Sequence, residues 1–436
     1  MRIAHRLLVA ALAVLAMMMP TAAQAATAPY IVVLKPGADV TKAVSKAKGV
    51  GATVSQTYKF ALSGFAANIP TDKVSAISAD ASVAFVAADG VVSSGFKPPT
   101  KCTTPPCQVI DTGILRIDAD ESSTRSGDGQ GAVNVNVAVF DAGVGPHSDL
   151  NIAGGKSCNG ARSFADEAGH GTAVAGIIAA KDNNFGTVGV APGARIWSVK
   201  VLDRYGNGRT SSILCGLDWT VSTRSDSDPA NDIQVANLSL NDAGQDDGAC
   251  GTLNKDSVHR AVCAGAQAGI AFVVSAGNES QDVANTILGS YDEVLNVTAM
   301  NDYDGEPGGK AAPRCGVPSP NPDDAPASYS NYTTGSELAH TVAAPGTCLQ
   351  SLWFGDRYAS GLVGTSFAAP HAAGVAALCI STGACAGLNG SQIASKLHND
   401  AVAYNNANPK YGFTGDLLRP LGNGRIYGPL IHAGSY

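Results

Sequence analysis

The chain has few charges, few aromatic residues and no cysteine in its first hundred positions. Each shortage narrows what it can be. Asp, Glu, Lys and Arg together make up 15% of 436 residues, aromatics 6%, and the net charge is −7. That negative balance argues against nucleic acid as the main partner. No stretch reaches the ~20 apolar residues a helix needs to cross a bilayer, which argues against a membrane anchor. No CxxC-type spacing and no HExxH motif occur, so cysteine- and histidine-based metal sites have no sequence support. There are no internal repeats. What is present is ordinary globular material: 45% apolar residues, enough for a sizeable core.

The first 25 residues read as an export signal. Arg2, His5 and Arg6 precede the apolar run Leu7 to Met19, and Ala23-Gln24-Ala25 is a small-x-small cleavage site. Cleavage after Ala25 and a secreted, extracellular product are expected. All ten cysteines then lie beyond residue 100, an even count that suits disulfides in an exported chain. Connectivity is not readable, although proximity suggests Cys102–Cys107, Cys250–Cys263 and Cys379–Cys385.

Two modules follow. Residues 29–92 form a small α+β unit. Strands are expected at Tyr30–Leu34, Tyr58–Leu62, Phe65–Ile69 and Val83–Val86. Helices are expected at Asp39–Lys48 and at Thr71–Ser78, the latter capped by Thr71. A Ser/Gly/Pro-rich linker covers Ser93 to Pro106. Beyond about Gln108, strands alternate with helices. Strands are expected at Val133–Phe140, Ile196–Leu202, Ile233–Leu240, Ile270–Ser275 and Val294–Ala299. Helices are expected at His170–Ala180, Ser211–Thr223, Asp256–Ala268 and Ser366–Ile380, with a short one at Ser391–Leu397. This order predicts an α/β fold, a mainly parallel central sheet with helices on both faces. Active sites in such sheets lie beyond the carboxyl ends of the strands. The polar stretch from Asn301 to Pro326 reads as a surface excursion.

Three segments carry chemistry. In Val139-Phe140-Asp141-Ala142-Gly143, an acid ends an apolar strand. In Gly169-His170-Gly171-Thr172, a histidine opens a helix rich in small residues. In Gly364-Thr365-Ser366-Phe367-Ala368-Ala369-Pro370, a serine opens another. A serine hydroxyl needs a base to become a nucleophile, and neutral imidazole suits that task. A buried carboxylate orients the imidazole. A helix start aims a backbone N–H at a developing oxyanion. Ser275-Ala276-Gly277-Asn278 follows an apolar strand, where the Asn278 amide can supply a second donor. The order Asp, His, Ser, without Gly-x-Ser-x-Gly at the serine, disfavours an esterase or lipase.

These motifs resemble the subtilisin–proteinase K family of serine proteases across nearly the whole chain. The resemblance implies an acyl-enzyme endopeptidase with Asp141 as triad acid, His170 as base, Ser366 as nucleophile and Asn278 as oxyanion donor. Residues 26–96 correspond to an inhibitory propeptide that also acts as intramolecular chaperone, and 97–436 to the catalytic domain. Polypeptide substrates would lie extended along Gly206 and Gly208 on one side and Ser239, Leu240 and Asn241 on the other. Ser275, Ala276 and Gly277 would form the second wall of the primary pocket. Gln108, Asp149 and Asn183 match side-chain ligands of a structural Ca2+ site, with the loop 182–186 adding backbone oxygens. No cofactor serves the chemistry, and the product is expected to be a monomer. Val109-Ile110-Asp111-Thr112-Gly113 looks more like the family's usual acid motif than Asp141 does. Two features favour Asp141: the following His147-Ser148-Asp149-Leu150, and a gap of 170 − 141 = 29 residues to the histidine. Ala142, Ala173, Phe367, Ala369 and Asn241 depart from the family pattern without removing a reacting group.

Overall fold

The computed structural model describes residues 26–93, 108–316 and 321–436. The export signal and the pair Cys102–Cys107 fall outside them. Among the described residues, no helix is long and apolar enough to cross a membrane.

The first unit contains β1 (Thr27–Leu34), α1 (Val40–Gly49), β2 (Thr53–Tyr58), β3 (Gly64–Pro70), α2 (Val74–Ser78), β4 (Val83–Ala88) and β5 (Val91–Ser93). Four strands make an antiparallel sheet in the order β2-β3-β1-β4. Strand periodicity explains why this unit has two packed faces. Val32, Leu34, Phe65, Ala67 and Ile69 pack on Ala43, Ala47 and Ile77 of its own helices. Ile31, Val33, Ala66 and Phe85 point the other way and share a core with helices of the second unit. Asp39 caps α1 by accepting from Thr41 and Lys42 N–H at 2.9 and 3.1 Å.

Two expectations here are corrected. Tyr58 ends β2, and Lys59, Phe60 and Ala61 are not a strand: all three N–H groups donate to one Asp218 carboxylate oxygen at 2.5–2.9 Å. Thr71 caps nothing, because its N–H pairs with Ala26 O and α2 starts after Lys73, with no side-chain cap.

The second unit continues with α3 (Thr112–Arg116), β6 (Asn136–Asp141), β7 (Asn151–Ser157), α4 (His170–Ala179), β8 (Arg195–Lys200) and β9 (Asn207–Arg209). It proceeds through α5 (Thr210–Thr223), β10 (Val235–Leu238), α6 (Ser257–Gln267), β11 (Ala271–Ser275), β12 (Val294–Asn301) and β13 (Ala325–Pro326). It closes with β14 (Thr341–Pro345), β15 (Thr347–Trp353), β16 (Arg357–Val363), α7 (Thr365–Ser381) and α8 (Gly390–Ala407). The central sheet runs β13-β12-β11-β10-β6-β8-β7, with β14 also pairing β12. Only the β12–β13 pair is antiparallel. Apolar residues of α4, α7 and α8 fill one face, and those of α5 and α6 the other. The α/β reading therefore holds, with strands of continuous apolar residues buried on both sides.

The final helix is longer than expected, 18 residues, because Asn389 and Gln392 form a reciprocal capping box and Leu397, Ala401 and Asn405 stay buried. The surface excursion expected at 301–326 holds for 306–316, which are almost all exposed, but not for the flanking residues. Asp302, Tyr303, Asp323 and Asp324 are buried, and Arg116 of α3 reaches Asp324 Oδ1 at 2.8 Å with its own side chain enclosed. Burial pushes Asp302 up to about 8, although Arg116 opposes the shift. Disulfides join Cys250–Cys263 and Cys379–Cys385 as expected, and also Cys158–Cys215 and Cys315–Cys348, whose partners lie 57 and 33 residues apart.

His371, inside α7, is 1% exposed and donates from Nδ1 to Phe367 O at 2.9 Å. Burial holds its pKa down at about 4. The unfolded chain accepts the proton at about 6.5, so this contribution is complete above that pH and is lost as pH falls toward the folded value. Urea unfolding should show about 3 kcal/mol less stability at pH 4 than at pH 7 from this group. His371→Gln should flatten that part of the profile; an unchanged slope would refute the assignment.

Candidate active site

Asp141 is the last residue of β6 and is fully buried. Its Oδ1 accepts the Ala142 N–H and its Oδ2 lies 2.7 Å from His170 Nδ1. Sharp departure from the strand requires Gly143, at φ 106°. A Cβ on Gly171 would sit 2.1 Å from Gly143 O and 2.8 Å from Asp141 Cβ, so only glycine after the histidine lets α4 approach the acid this closely.

The α4 start is held by a residue that the sequence reading missed. The Asp166 carboxylate accepts the N–H groups of Ala168, Gly169 and Thr172 and the Thr172 hydroxyl at 2.5–2.9 Å. It acts as a helix cap placed four residues before His170. Its signal was the Asp-x-x-Gly-His spacing ahead of a helix. The opposite side of the His170 ring meets Phe367, centroid to centroid 5.1 Å.

Ser366 is the second residue of α7 and is 3% exposed. Its hydroxyl lies 3.4 Å from Ser239 O, while Ser239 Oγ donates back to Ser366 O at 2.8 Å. Asn278 is clamped by its carbonyl oxygen, which accepts the Thr365 N–H at 2.9 Å and the Thr365 hydroxyl at 3.0 Å. Fixing the oxygen end leaves the Nδ2 hydrogens as the donating end beside the α7 start. Asn331 was also missed. Fully buried, it ties the Asn278 turn through Ala276 O, Glu279 N and Gln281 N. Nothing in its local sequence marks it.

Asp111 lies elsewhere. It caps α3 through Gly113 N and accepts the Gln350 N–H at 2.7 Å. Burial pushes it up to about 6, against those two hydrogen bonds.

The extended edges lie beside this cluster. β9 pairs antiparallel with β5 of the first unit, Val92 opposite Gly208 and Ser93 opposite Asn207. Ser93 also bridges Asn241, whose N–H donates to Ser93 O at 3.3 Å. Gly206 makes the tight turn before β9 at φ 79°. The residues Ser275 and Ala276 are buried at the end of β11. Leu240 is buried too, and Gly277 has φ 105°. A Cβ on Gly277 would lie 2.1 Å from Asn241 Nδ2, so the Asn241 side chain fills the space between the two walls.

The first unit grips α5 as well as the edges. Asp89 accepts the Ser211 N–H at 2.8 Å and its hydroxyl at 2.7 Å, supplying the cap that α5's own Arg209 lacks. Asp218 further along the helix holds the 59–61 turn.

Oxygen donors gather near β7. Asp149 is fully buried, and Asn183 Nδ2 donates to it at 2.7 Å. Gln108 Nε2 points at Lys181 O at 3.0 Å and at Thr187 O at 3.4 Å. Burial pushes Asp149 up to about 6, with only partial relief from Asn183.

Comparison with known proteins agrees with this architecture. Residues 132–424 match the model of the Subtilase family, and residues 29–94 match that of Peptidase inhibitor I9. The chain belongs to the subtilase family. It is 36% identical over 272 residues to the thermostable alkaline protease of Halalkalibacterium halodurans, covering 62% of this chain and 63% of the relative. It is 35% identical to subtilisin Savinase of Lederbergia lenta over 62% of this chain and 84% of the relative. Subtilisin E of Bacillus subtilis is 33% identical over 76% of this chain and 74% of the relative. The chain spans less than two thirds of the first of these relatives, and 32% of the minor extracellular protease Epr of Bacillus subtilis.

Proposed function

We propose that this subtilase is a secreted serine endopeptidase that matures by cutting itself. The observation that supports it best is β5: the chain's own segment lies as an added strand between β9 and Asn241. A polypeptide substrate would take the same place. Ser366 attacks the carbonyl, His170 takes and returns the proton, and Asp141 holds the imidazole in the reactive tautomer. The Ser366 N–H and Asn278 Nδ2 stabilise the oxyanion. Fluorophosphonate labelling of Ser366, together with casein hydrolysis, tests the reading. A chain that neither takes the label nor cuts casein after release of residues 26–96 would refute it.

The end of β5 bounds the first cut. β5 ends at Ser93, which pairs with Asn241 in antiparallel sense, two residues beyond Ser239, whose carbonyl lies 3.4 Å from the Ser366 hydroxyl. The first cleavage is expected between Ser93 and Lys97, and N-terminal sequencing of briefly processed precursor should place the new terminus there. A first product starting outside that stretch would refute this expectation.

The donor set near β7 suits a hard cation: a buried carboxylate, two side-chain amides and backbone carbonyls. Asp149, Asn183 and Gln108 would hold Ca2+ and thereby stabilise the fold, outside the chemistry. At calcium a hundred times its Kd, chelation should lower stability by about 2.7 kcal/mol. Asp149→Asn should remove most of that calcium dependence in thermal melts; an equal response in both chains would refute the ligand set.

A further inference from the structure

His259, in the first turn of α6, is 1% exposed. Its Nε2 lies 2.9 Å from Glu293 Oε2. That contact makes Nε2 the protonated nitrogen and turns the Nδ1 lone pair the other way. Nδ1 makes no hydrogen bond, yet it faces Asp246 Oδ1 at 3.3 Å and Asp247 Oδ1 at 3.6 Å. A buried lone pair directed at two carboxylates is repulsive unless a positive charge sits among them. A proton on Nδ1 would find neither carboxylate in hydrogen-bonding geometry. The three ligand atoms lie within 4.8 Å of one another, the span of one small cation.

The surroundings hold these atoms in place. The Asp247 carboxylate accepts N–H groups from Ala249, Gly251, Leu253 and Asn254. Asp246 Oδ1 accepts from Gly248 N at 2.8 Å. Tyr291 stacks on the imidazole at 4.1 Å, and its hydroxyl donates to Asp256. The neighbouring Cys250 and Cys263 are joined to each other and offer no thiolate. A histidine that donates its second N–H to a carboxylate is the usual support for a metal-bound imidazole.

We propose that Asp246, Asp247 and His259 Nδ1 bind a divalent transition-metal ion, best Zn2+, which clamps the 246–254 loop to α6. The nitrogen ligand disfavours Ca2+ and Mg2+, which take oxygen sets. The test uses the full chain carrying Ser366→Ala, stripped with EDTA and resupplied with excess Ca2+ to fill oxygen-only sites. Zinc is then titrated in competition with a chromophoric chelator. A single zinc per chain is expected, weakened by about 10–100-fold in Glu293→Gln and lost in Asp246→Asn and His259→Gln. Should His259→Gln not fold, the other two variants decide. The absence of zinc binding in the chain with the intact cluster would overturn the proposal and leave a proton as the charge. Zinc binding unaltered by Glu293→Gln and Asp246→Asn would overturn it equally.

Discussion

Ser366→Ala should leave a full precursor, uncut between Ser93 and Lys97, with turnover reduced on the order of 10⁶-fold; that magnitude is the subtilisin precedent rather than a product of this geometry. The residue is 3% exposed at the start of α7, and its backbone is fixed by the Ser239 hydroxyl at 2.8 Å. Alanine keeps those backbone contacts and the helix, so the loss should appear in activity and not in stability. Electrophoresis of the expressed chain reads the result directly. Normal self-processing by the variant would show that another residue is the nucleophile.

Asp141→Asn should cost about 10⁴-fold in turnover with the fold intact, again on the precedent of related triads. An amide 2.7 Å from His170 Nδ1 can present its NH2 to that nitrogen and stabilise the wrong tautomer. Asp111→Asn supplies the control. Asp111 caps α3 and holds the Gln350 N–H, so its loss should lower the melting temperature while specific activity per folded molecule stays unchanged. If Asp111→Asn abolished turnover and Asp141→Asn did not, the assignment of the acid would be reversed.

The interface between the two units also follows physical rules that local reading does not capture. Propensity made Tyr58–Leu62 look like a strand. In the fold, Asp218, more than 150 positions away in sequence, collects three N–H groups at that turn. Likewise α5 receives its cap from Asp89 of the other unit. A cap supplied from outside the helix's own segment leaves no trace beside the helix.

Sequence alone determined the α/β class, the two-module organisation and the candidate catalytic set. Those features reside in local patterns: apolar runs bounded by turn residues, and chemically demanding side chains with glycines beside them. Gly171 is legible because the backbone of α4 must approach Asp141 so closely that no Cβ fits. Tertiary structure alone decided the rest. It chose Cys158–Cys215 and Cys315–Cys348, brought Asp166 and Asn331 to support the site, and buried Asp302 and Asp324 around Arg116. The reason is physical: a disulfide, a buried ion pair or a supporting hydrogen bond is specified by distance in space, and the chain positions that meet there share no local signature.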